Sequence, residues 1–60
     1  MNSTIEFYVE KIEGQILMDL ANHDDANLYQ IAIELIQKEP SDQLALICQA
    51  YEVVKHDLLG

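Results

Sequence analysis

The sequence has no tryptophan and no arginine, one cysteine, one proline, and three positive charges in all. Each shortage excludes a class of protein. With Cys48 alone, no disulfide can form within the chain. With one cysteine and two widely separated histidines, His23 and His56, a structural zinc site lacks ligands. Three lysines (Lys11, Lys38 and Lys55) stand against 11 acidic residues, for a net charge of −8. That balance repels nucleic acid and anionic membrane, leaves no basic footprint for binding DNA or RNA directly, and favours basic protein partners. No apolar run approaches the ~18 residues that cross a bilayer, and Met-Asn-Ser-Thr-Ile-Glu lacks the basic start and apolar centre of a secretion signal. The expectation is a soluble, cytoplasmic protein.

What the chain does have is apolar surface: 50% of its residues are hydrophobic, which separates it from disordered acidic tails. Residues 1–60 read as a single helical domain. A chain of this length buries only about 60% of the surface its unfolded form exposes. With disulfide and metal excluded, oligomerisation or a partner remains to supplement the core.

Hydrophobic spacing gives an all-α protein, a compact three-helix unit with helices near residues 4–21, 25–38 and 42–58. Ser3-Thr4-Ile5-Glu6 has the form of a capping box, with Ser3 as the cap and Glu6 reaching back to it. Ile5, Tyr8, Val9, Ile12, Ile16 and Leu20 then recur at helical steps as one stripe. Phe7 and Met18 fall on a second line, with Lys11 and Gly14 between them. Gly14 is either a tolerated weak point or a place where another backbone comes close. Asn22 is a left-handed stop, and Asp24 or Asp25 caps the next helix. Leu28–Ile36 is apolar on more than half its circumference, which makes it the central helix, with the core around Leu28, Ala32, Leu35 and Ile36. Pro40 ends it and Ser41 caps the third helix. That helix carries a main stripe of Leu44, Ile47, Cys48, Tyr51, Val54 and Leu58, and a second stripe of Leu46, Ala50 and Val53. The two unused stripes, Phe7 with Met18 and Leu46 with Ala50 and Val53, imply a partner interface or pairing into a homodimeric helical bundle.

Tyr29-x-x-Ala32 followed by Pro40-Ser41-Asp42-x-x-Ala45-Leu46 and Tyr51 resembles the junction between two tetratricopeptide repeats. The spacing from Ala32 to Pro40 is about one turn shorter than in that family, and an array needs three or more repeats, so the family is not adopted. The resemblance implies antiparallel helices joined by tight, capped turns.

No catalytic, cofactor-binding or metal-binding set can be assembled, and the expectation is a protein that is not an enzyme. His56 and Asp57 are neighbours on a helix and diverge by about 100°. His23, Asp24 and Asp25 are adjacent and do not converge on one ion. Cys48, on the core stripe, reads as a small hydrophobe with no base beside it. Tyr8, Tyr29 and Tyr51 read as residues at the edge of the core with hydroxyls in water. The acidic surface comprises Glu6, Glu10 and Glu13, a ridge along the first helix, with Asp24 and Asp25 at its far end. Two functions fit. The first is a small acidic interaction or regulatory module that binds a protein through an apolar helical face. The alternative is a nucleic-acid mimic, of the phage or mobile-element kind, that inhibits a basic protein.

Overall fold

Thr4, in extended conformation, opens the first helix, its hydroxyl accepting from the Phe7 amide at 3.2 Å. This supplies one of the amides that a helix start leaves unpaired. The computed structural model describes residues 4–59, which form α1 (Ile5–His23), α2 (Leu28–Lys38) and α3 (Leu44–Leu59). The described residues contain no strand. The expected cap, Ser3, lies outside the described residues.

The turns differ in detail from the spacing-based expectation. Asn22 is helical, and α1 ends two residues beyond Ala21. The left-handed residue is Asp24, at φ 57, with its amide donating to the Leu20 carbonyl at 3.1 Å. Aspartate tolerates that conformation because its short polar side chain can bond locally. Asp24 therefore closes α1, and the cap of α2 is Asn27, whose side chain accepts from the Gln30 amide at 3.0 Å. At the second turn Glu39 is extended, as the residue before a proline must be. A single 3-10 turn (Ser41–Gln43) then leads into α3, so Ser41 is the turn's first residue and not a helix cap.

Both turns reverse the chain, so α1 and α3 run parallel with α2 antiparallel to both. Ile5 and Glu6 accordingly border Leu46, while Ile16 and Leu17 border Val54 and Leu58. The most extensive helix contact is between α1 and α3. Its centre is Tyr8 and Ile12 against Ile47, Ala50 and Val54, all essentially without solvent exposure. The Tyr8 hydroxyl is buried with its ring and donates to Gln43 Oε1 at 3.3 Å, fastening the start of α1 to the 3-10 turn.

The expected centre on α2 is thus corrected. Ile31 and Ala32 are buried, Leu28 and Leu35 only flank the core, and Ile36 is 37% exposed. The reason is geometric: three helices share one seam, so each can bury one stripe and none is covered on both sides. An α2 that is apolar over most of its circumference must leave the remainder in water, and Tyr29 is 64% exposed. On α3 the buried line, Ile47, Ala50 and Val54, runs between the two expected stripes and takes members from each. Ala50 is therefore core and unavailable to a partner. Cys48, Leu44 and Leu58 are exposed, contrary to their place on the expected main stripe.

Two stability measurements check this arrangement. Ile12→Ala removes a fully buried branched side chain and should cost about 3 kcal/mol or more, against roughly 1–2 kcal/mol for half-buried Leu35→Ala. The reverse order in chemical denaturation would restore α2 to the centre. A Cβ at Gly14 would meet nothing within 4 Å. Gly14→Ala should therefore raise stability by about 0.5–1 kcal/mol, whereas a loss on melting would mean that another chain occupies that space.

Candidate functional site

Packing on a single seam leaves apolar surface in two grooves, one on each side of α3. Between α2 and α3 is a groove of about 320 Å³ whose lining includes Tyr29, Ile33, Ile36, Cys48, Tyr51 and Glu52. Tyr29 meets Tyr51 edge to face at 6.4 Å, and the Lys55 ammonium lies 5.9 Å from the Tyr51 ring centre. Cys48 is a free, exposed thiol here.

On the opposite side, between the parallel α1 and α3, a concavity of about 290 Å³ is lined by Glu13, Ile16, Leu17, Val54, Asp57 and Leu58. Leu17 and Leu58 are 68% and 60% exposed. At the other end of the same helix pair, Ile5, Leu46, Thr4 and Glu6 line a shallower hollow. Val53 is exposed, and on the α3 wheel it falls within about 40° of both Leu46 and Asp57, which places it along this face.

Of the five residues expected at a partner or dimer interface, Ala50 is buried and the other four lie on two separate flanks. Leu46 and Val53 belong to the α1–α3 face, and Ala50 lies in the core beneath it. Phe7 and Met18 are exposed on the other flank of α1. There the Phe7 ring packs edge-on against Tyr8 at 5.1 Å, with the Lys11 ammonium 5.3 Å from its centre.

The acidic residues are better organised than the apolar ones. Glu6, Glu10 and Glu13 are all exposed along α1, and Glu6 and Glu13 border the two hollows of the α1–α3 face. Asp57 brings a carboxylate from α3 to the same face. Asp24 and Asp25 are exposed in the turn that follows α1. The lysines lie elsewhere. Lys11 and Lys38 border a concavity between α1 and α2, and Lys55 accompanies Tyr51 on the far side of α3. Lys11 also pairs with Glu39 at 3.6 Å, a partly exposed contact worth about 0–1 kcal/mol. The α1–α3 face therefore presents apolar side chains edged by carboxylates, with no lysine among the residues that line its hollows.

Leu17 is the member of this face that hydrophobic spacing missed, although its signal was there. It follows Glu10 by seven residues and Glu13 by four, so it lies on the acidic ridge and cannot join the core stripe. Asp57 follows Val53 by four residues and flanks the stripe of Leu46, Ala50 and Val53 by helical angle, so its place beside that stripe is legible from spacing.

Among the described residues, no group of three or more His, Cys, Asp or Glu is placed to hold a metal ion. None of the described helices is long and apolar enough to cross a membrane. Compared with models of protein families, with curated proteins and with solved structures, the chain matches none.

Proposed function

We propose that this chain is a non-catalytic, acidic interaction module that binds a protein partner through the α1–α3 face. The observation that carries the reading is the exposure of Leu17, Val53 and Leu58 on one face together with Glu6, Glu13 and Asp57. Apolar side chains bordering concavities are the usual anchors of a protein interface, and a polar rim is its usual edge. A homodimer built on this face would oppose the carboxylates of one copy to those of the other, which favours a different protein over a second copy. An exposed thiol with no second cysteine to pair suits a reducing compartment, in keeping with a cytoplasmic site of action. The acidic ridge is interrupted by Leu17 and Leu20, which favours apolar docking over imitation of a continuous row of phosphates.

The test is capture of partners from lysate by three versions of the chain: the natural sequence, Leu17→Asp with Val53→Asp, and Glu6, Glu10 and Glu13 changed to Gln. All five positions are exposed, so the helical content should survive each change. The aspartate variant should lose at least about tenfold of the captured partner, and the glutamine variant less. Mimicry would give the opposite order, with capture abolished in the glutamine variant and steeply salt-sensitive in the natural chain.

A further inference from the structure

We infer that the occupant of the α1–α3 face is a basic amphipathic helix of the partner protein, laid along the seam between the two parallel helices. The inference rests on the reading of this face as a docking surface and adds the shape and charge of what docks there. The shape follows from α2. In this fold α2 lies antiparallel in the groove on one side of the α1–α3 pair and inserts Ile31 and Ala32 toward the seam. The groove on the other side is formed by the same two helices, and none of the described residues fills it. A helix placed there completes a four-helix arrangement, the common solution for helices with apolar stripes.

The spacing of the hollows suits a helix. Along α1, Glu6 at one hollow and Leu17 at the other are separated by about three turns, roughly 16 Å of rise. An incoming helix with apolar residues at i, i+3 or i+4, i+7 and i+11 presents side chains to both hollows from one face. The mutual distance excludes filling both with one compact side chain.

The charge of the occupant follows from what edges the groove. Glu6 and Glu13 stand on the α1 side and Asp57 on the α3 side, while the lysines border other surfaces or lie over aromatic rings on them. Lysine or arginine side chains flanking the apolar stripe of the incoming helix would meet carboxylates on both walls. Contacts of this kind at an exposed rim contribute modestly to affinity and strongly to selection, because an acidic helix or a second copy of this chain meets repulsion at the same points.

The experiment uses the full chain, isotopically labelled for solution NMR, and three synthetic peptides of ~14 residues, long enough to span both hollows as a helix. One is a leucine/lysine peptide with leucines at helical spacing. The second has the same composition scrambled so that the leucines surround the axis, and the third replaces lysine with glutamate. The first should bind alone, shifting the resonances of Leu17, Leu46, Val53 and Leu58. Its affinity should fall about tenfold between roughly 50 and 500 mM salt, and about fivefold in the Glu13→Gln, Asp57→Asn variant. Equal binding of the scrambled peptide would reduce the effect to bulk charge attraction and overturn the inference. So would shifts centred on Tyr29, Ile36 and Tyr51, or doubling of the chain's own mass through this face. Equal binding of the glutamate peptide on the face would overturn the basic occupant while leaving the docking surface in place. If no peptide binds, the helical occupant is overturned, while the docking surface is judged separately by capture with Leu17→Asp and Val53→Asp.

Discussion

Everything else in this small protein depends on the packing of α1 against α3, the most extensive helix contact, with Ala50 fully buried in it. At the middle of the seam α3 presents a methyl group where Ile47 and Val54 present branched side chains one turn away on either side. Tyr8 and Ile12 of α1 are buried in one cluster with this line, and the Tyr8 hydroxyl donates to Gln43. A buried hydroxyl without a partner would cost about 1–3 kcal/mol, a serious loss for a chain of this size. Among the described residues no buried side-chain nitrogen or oxygen lacks a partner. α2 is added to one side of this pair and is held mainly by Ile31, Ala32 and the flanking Leu28 and Leu35.

Elements were legible in the sequence where a local rule acts alone. Three helices follow from spacing, the break at Pro40 follows from the conformation it imposes on Glu39, and the inward stripe of α1 from Ile5 to Ile16 follows from its dominance, although Tyr8, expected at the core's edge with its hydroxyl in water, is fully buried. The caps were legible only as types. Ser, Thr, Asn and Asp crowd both ends of α1 and the start of α2, and which of them takes the cap depends on how the chain enters the bundle. The centre was not legible, because hydrophobic content measures how much of a helix could be buried and not how much of it neighbours will cover. Leu28–Ile36 is the most apolar stretch, yet with two neighbours on one side it remains a flank.

The candidate site shows the same division. The acidic ridge was readable by angle alone, since Glu6, Glu10 and Glu13 stay on the outside of a helix whatever packs against its other face. The apolar stripes were readable as unused surface but not as one surface. Assigning Leu46 and Val53 to the acidic flank of α1, and Phe7 and Met18 to the other, requires the parallel direction of α1 and α3. That direction also brings Asp57 to the ridge and places the lysines elsewhere. The consequence is a charged edge around an apolar groove, assembled from residues far apart in the chain.

Native-state hydrogen exchange tests the primacy of the α1–α3 seam most directly, because it ranks helices by the free energy needed to open each. The slowest amides should be those near Ile12 in α1 and from Ala50 to Val54 in α3, exchanging together through one global opening, with α2 exchanging through a smaller, local one. Amides of α2 that exchange as slowly as those of α3 would contradict the account and return the centre of the protein to its most hydrophobic helix.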